Sequence, residues 1–206
     1  MSPEEEIIGL MCAYLDGLPG AEDFHQALTR VSGTPEGVES TGGLDPVTAN
    51  DWTATVTERG RPLVDAMNRH MEHFAWWYPY GGDPRAGRGF ATGATANAVV
   101  GPWAPLKADH VGAGFFALNQ GIEYADHAHA PDEIYVPLAG HANFHCEHYG
   151  DLKAGPDKVI YQPSWKWHSM ETPDSPVLLL WVWIGEGLHE LPVFRGEDGV
   201  PVAVDL

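Results

Sequence analysis

The chain has 206 residues, enough to bury one substantial core, and 44% hydrophobic with 19% charged residues is the composition of an ordinary globular protein. Eleven Lys and Arg against 29 Asp and Glu leave a formal charge of −18, which disfavours nucleic acid and anionic membranes as partners and reads most plainly as a solubilising acidic surface. Two cysteines, Cys12 and Cys146, exclude a disulfide framework or a four-thiolate zinc site and read as free thiols of a reducing compartment.

The N-terminus "MSPEEEIIGLMCAYLDGL" opens acidic and has neither a basic region nor a cleavage site, so no secretory signal is expected. No apolar run reaches bilayer length ("VLLLWVWIG" is strand-sized), and a cytoplasmic location is the expectation. The same N-terminal stretch predicts a helix. Ser2 is placed to cap it, Pro3 takes the first position, and Ile7, Ile8, Met11, Tyr14 and Leu15 follow helical spacing. "AEDFHQALTRV" predicts a second, shorter helix, ended by Ser32-Gly33, and residues 33–50 read as a loop rich in Gly, Thr, Pro and Ser. "RPLVDAMNRHMEHFAWW" predicts a third, with Leu63, Met67, Met71 and Phe74 on one stripe and with His70 and His73 facing solvent or a helix–sheet contact. "YPYGGDPRAGRGF" then breaks the pattern.

From about residue 88 short β-rich runs alternate with turns: "GAGFFALNQG", "DEIYVPLAG", "HANFHCEHYG", "DKVIYQP", "WHSMETP" and "PVLLLWVWIG". That spacing suggests a β-sandwich or barrel rather than βαβ units. The expectation is a mostly β protein in which a helical segment, 1–87, packs on a β-barrel, 88–206. The helices could cover the barrel mouth or build a homodimer contact.

The chemistry concentrates in "HAHAPDEIYVPLAG". His127 and His129 share one side of an extended strand, and after a turn Glu133 and Tyr135 again share a side, with Ile134, Val136 and Leu138 opposite. Two imidazoles and a carboxylate suit one divalent transition metal ion, Zn²⁺, Fe²⁺, Mn²⁺, Co²⁺ or Ni²⁺. His168, following the Pro-led turn of "PSWKWH", offers a fourth ligand, whereas His141, His145 and His148 read as ordinary strand positions.

These residues resemble the cupin motifs. "GIEYADHAHAPDEIYVPLAG" has Gly121, His127, His129, Glu133 and Gly140 where the first motif places them, and "PSWKWH" has Pro163 and His168 of the second, with Trp165 where that motif usually has glycine. The resemblance covers roughly residues 110–186 and implies a double-stranded β-barrel with His127, His129, Glu133 and His168 as metal ligands. More narrowly, H-A-H-x-x-x-E-I-Y, the tryptophan-rich second motif and the helical N-terminal extension resemble the cupin-type dimethylsulfoniopropionate (DMSP) lyases of marine bacteria.

That resemblance implies a metal-dependent carbon–sulfur lyase that cleaves a small zwitterion to dimethyl sulfide and acrylate. In it Tyr135 is the catalytic base and Tyr124 the second pocket tyrosine, catalytic or substrate-binding. From the residues alone, Tyr135 could equally be a core tyrosine with a satisfied hydroxyl. An aromatic wall for the sulfonium is expected from Trp165, Trp181 and Trp183, of which the last two share a strand face. Other metal-dependent cupin enzymes, a dioxygenase or a sugar isomerase, are the alternatives, since one fold hosts many chemistries.

Overall fold

The computed structural model describes residues 1–36, 49–196 and 198–204, so most of the expected loop at 33–50 lies outside the described residues. Helix α1 (Pro3–Leu15) starts at a reciprocal cap: the Glu5 N–H donates to Ser2 Oγ at 3.2 Å, and the Ser2 N–H donates to Glu5 Oε2 at 2.6 Å. Such a cap is worth about 1 kcal/mol. Helix α2 (Glu22–Leu28) follows, then α3 (Arg61–His70).

The third helix is shorter than its periodicity suggests. It stops at His70, and Trp76–Trp77 forms strand β1 instead, paired with β2 (Ala94–Asn97) just after the short α4 (Phe90–Gly93). Aromatic residues suit a sheet edge, and the Trp76 indole N–H takes the carbonyl of Met71 at 2.9 Å, occupying one of the acceptors released at the helix end. His70 and His73 meet α1 rather than a sheet: their Nε2 atoms lie 2.9 Å from Glu6 and 2.7 Å from Glu4, and the His73 side chain is 48% exposed to solvent.

The remaining strands are β3 (Val111–Leu118), β4 (Glu123–Ala128), β5 (Asp132–Gly140), β6 (Ala142–Cys146), β7 (Gly150–Ala154), β8 (Ile160–Gln162), β9 (His168–Glu171), β10 (Val177–Ile184), β11 (Val193–Arg195) and β12 (Pro201–Ala203). They form two six-stranded antiparallel sheets, ordered β1-β2-β3-β10-β5-β8 and β12-β11-β4-β9-β6-β7. This is the cupin double-stranded β-barrel with helices at its N-terminal side.

Strand alternation sorts the core into two. Ile134, Val136 and Leu138 of β5 and Leu178, Leu180 and Val182 of β10 face outward and pack with Ile7, Met11, Leu15, Leu28 and Met67 of the helices. Fully burying each such side chain contributes roughly 2 kcal/mol. Tyr135, Leu179, Trp181, Phe116, Tyr124, Phe144 and Met170 face inward between the sheets. The helices therefore cover the outer face of the first sheet, and the Tyr14 hydroxyl fastens α1 to Asp157 in the β7–β8 turn at 2.9 Å. Gly140, which closes β5, has φ +72°, and a Cβ there would lie 1.9 Å from the Pro176 carbonyl oxygen, so only glycine fits. Among the described residues no helix is long and apolar enough to cross a membrane.

Candidate metal centre and its surroundings

His127, near the end of β4, His129, just past it, and His168, the first residue of β9, converge between the sheets with one ring nitrogen of each within 4.8 Å of the others. Each is 1% exposed, as is Glu133. Their Nδ1 atoms are committed to backbone: His127 to Ala125 O at 2.9 Å, His129 to Pro131 O at 3.0 Å, His168 to Lys166 O at 2.8 Å. A carbonyl only accepts, so each Nδ1 carries the hydrogen and each neutral Nε2 presents a lone pair.

Those lone pairs meet further acceptors. Glu133 Oε2 lies 3.1 Å from His129 Nε2 and 3.5 Å from His168 Nε2, and the buried Nε2 atoms of His127 and His168 have no hydrogen-bond partner. Three imidazoles and a carboxylate converging out of water, with two of the ring nitrogens unpartnered, suit a divalent cation. Burial, then the neighbouring imidazoles, hold His127 well below the ordinary imidazole value, and burial also lowers His168. Burial alone would raise the Glu133 carboxyl, but the facing His129 and His168 keep it below the ordinary carboxylate range.

Two strand pairings flank Glu133, with Trp183 of β10 on one side and Gln162 of β8 on the other. The Trp183 indole N–H donates to Glu133 Oε1 at 2.6 Å, and its ring lies 4.6 Å from that of His129. Trp181, directly across from Tyr135, donates its N–H to Asn97 O at 3.1 Å and is 8% exposed. Trp165 is not brought into this set. It occupies the left-handed region at φ +54°, the conformation glycine supplies in such turns, the residue is 52% exposed, and its backbone N–H donates to His129 O at 2.8 Å.

Tyr124 precedes His127 by an odd number of residues, which would put the two on opposite faces of a regular strand. A register shift in the β4–β9 pairing between them turns both inward, and their rings stack at 3.9 Å and 20°. The Tyr124 hydroxyl is hydrogen-bonded to that of Tyr80, a residue the sequence reading passed over. Tyr80 has φ +60° and precedes two glycines also at positive φ; the strained left-handed turn in "YPYGGD" is the signal that could have found it. Tyr135 faces the same interior, and burial, then the Glu133 charge, push its phenol well above the ordinary value.

A broad groove of about 890 Å³ runs along the second sheet past Glu123, His145 and Glu171, and within it His145–Asp151 lie 2.7 Å apart and Arg195–Asp126 3.2 Å apart.

Residues 25–179 match the dimethylsulfoniopropionate lyase family model. The chain belongs to the DMSP lyase family. A relative in that family, dimethylsulfoniopropionate lyase DddQ of Ruegeria pomeroyi, is 31% identical over 124 residues, 60% of this chain and 61% of the relative. The match thus spans less than two thirds of that lyase. The crystal structure of DMSP lyase DddQ from Ruegeria pomeroyi superposes with a TM-score of 0.79 at 24% identity, covering 96% of this chain and 98% of that one. A chain from the crystal structures of the DMSP lyases RdDddP and RnDddQII gives 0.79 at 22% identity, covering 94% and 98%. At these identities the two lyase structures speak to the fold.

Proposed function

We propose that this chain cleaves DMSP to dimethyl sulfide and acrylate by metal-dependent, base-catalysed β-elimination. The observation that carries the reading is the set of inward lone pairs of His127, His129 and His168 beside the Glu133 carboxylate, with the Tyr135 phenol on the same strand face as Glu133. Family membership supplies the substrate class.

The four side chains would hold one divalent ion as three imidazole nitrogens and one carboxylate oxygen, a set that accepts several first-row metals. Such an ion supplies a positive charge that stabilises the substrate carboxylate and favours the phenolate of Tyr135. That charge is required, because burial and Glu133 both hold the phenol in its protonated form.

In this reading Tyr135 takes the proton from the carbon beside the substrate carboxylate. The C–H electron pair becomes the new C=C bond, and the C–S pair leaves with sulfur as neutral dimethyl sulfide. Sulfonium is a good leaving group, so no acid is needed at that end. Tyr124, anchored by Tyr80 and by its stack on His127, lines the substrate space, and the indole faces of Trp181 and Trp183 receive the cation. Burial of the whole set excludes water from the developing charge. Residues 88–206 then carry the chemistry and residues 1–87 serve as their platform, reaching the site through Tyr80.

The test is headspace detection of dimethyl sulfide from purified protein with DMSP under anaerobic conditions. Release that stops with chelator and returns with added metal is expected. Turnover that needs oxygen would instead favour a dioxygenase.

A further inference from the structure

Among the described residues, the buried polar side-chain atoms without a hydrogen-bond partner are Asn97 Nδ2, Gln162 Oε1, His127 Nε2 and His168 Nε2. The two imidazole nitrogens belong to the metal centre. Gln162 has a different environment. It is 0% exposed and sits directly opposite Glu133 in the β5–β8 pairing, while Ile160, two residues earlier, opposes Tyr135 and packs in the barrel interior. Its side chain therefore shares the inner face with Glu133 and Tyr135. Its Nε2 donates to the Tyr149 phenol oxygen at 3.0 Å, which holds the amide by its donor end and leaves the carbonyl oxygen bare. A buried acceptor with no donor is costly, and it persists where a ligand satisfies it.

The interior around it is made of phenols, indoles and phenylalanine rings. A sulfonium has no N–H or O–H to donate, but its charge polarises the attached C–H bonds, and an amide oxygen is a favourable contact for them at low dielectric. Cross-strand neighbours on one face stand about 5 Å apart at Cβ, comparable to the reach of a two-carbon spacer between a carboxylate held near Glu133 and a cation beside Gln162. We propose that Gln162 is a substrate-contacting residue whose Oε1, oriented by Tyr149, receives the dimethylsulfonium end and makes the site select a methylated cation over its neutral isostere, a role that rests on the lyase reading above.

The test uses the full-length, metal-loaded protein and two carboxylates, 3-(trimethylammonio)propanoate and its isostere without the cation, 4,4-dimethylpentanoate, with affinities measured by calorimetry alongside DMSP turnover. The wild type is expected to prefer the cation by about tenfold, and Gln162→Met to bring the two within about twofold by weakening only the cation. Gln162→Glu retains the preference. Tyr149→Phe, at a position 36% exposed, frees the amide to rotate and lowers the preference, so the role remains testable should a Gln162 variant fail to fold. A Gln162→Met protein that binds both ligands less well to the same degree, or keeps the wild-type preference, overturns the assignment. So does a Gln162→Glu protein that repels both, since the amide would then face the shared carboxylate. Wild-type protein that prefers the cation yet releases no dimethyl sulfide removes the lyase reading and leaves the cation contact standing. Turnover with an unaltered preference in Gln162→Met removes the contact alone.

Discussion

The indole N–H of Trp183 donates to Oε1 of Glu133 at 2.6 Å from directly across the β5–β10 pair. One carboxylate oxygen is thereby engaged, and the other is left facing His129 and His168. Sequence assigned Trp183 to the substrate wall; its N–H gives it a second task, holding an acid in place. Trp183→Phe keeps a ring on His129 and removes only the donor. Metal affinity is expected to fall by about 10- to 100-fold, the usual cost of losing a partner that orients a ligand. A competition titration against a chromophoric chelator measures this, and unchanged affinity would dismiss the orienting role.

Tyr135→Phe removes the proposed base and leaves the ring against Phe116 and Phe144. Dimethyl sulfide release should drop by about 10²- to 10⁴-fold with metal content intact. Activity that survives would strike Tyr135 from the mechanism.

Acid should unfold the metal-free protein early. His127 and His168 titrate below the ordinary imidazole value of 6.5 in the folded state, so above that pH both are neutral whether folded or not and contribute no pH dependence. Below it the unfolded chain binds protons that the folded chain refuses, and stability declines as the pH falls toward the depressed folded values. Glu133, lowered from 4.5, adds a further loss as the pH drops through its own folded value. Thermal melts of chelated protein from pH 8 to 5 should show a falling midpoint, with His127→Gln flattening part of the slope.

Trp165→Gly should stabilise the fold. The position is left-handed, the residue is 52% exposed, and the contact to His129 is made by the backbone N–H, which glycine retains. Relief of the strain is worth about 1 kcal/mol, or a rise in the melting midpoint of about 2–4 °C. Turnover that collapses in this variant would bring the indole back into the substrate path.

The converging His127, His129 and His168 and the Glu133 beside them were legible because they lie in two short stretches at fixed spacing, and strand alternation correctly separated Trp181 and Trp183 from Leu180 and Val182. What escaped depends on partners that only pairing supplies. Gln162 and Trp183 acquire meaning from being opposite Glu133 on two different strands. Tyr80 reaches Tyr124 across 44 residues of chain. The inward turn of Tyr124 depends on a bulge that a strict two-residue period cannot foresee. The third helix was overextended because its apolar stripe continues into Phe74, while the sheet edge beyond it claims Trp76.

Strand β5 has two clients. Its even-numbered side chains, Ile134, Val136 and Leu138, are gripped by the helical layer, and its odd-numbered ones, Glu133 and Tyr135, project into the barrel interior. A slip of one residue would trade the acid and the phenol for isoleucine and valine, and would force carboxylate and hydroxyl into grease on the other side. Remote α1 residues such as Met11 thus act as a ratchet, fixing from the back of the sheet which atoms reach the barrel interior at its front.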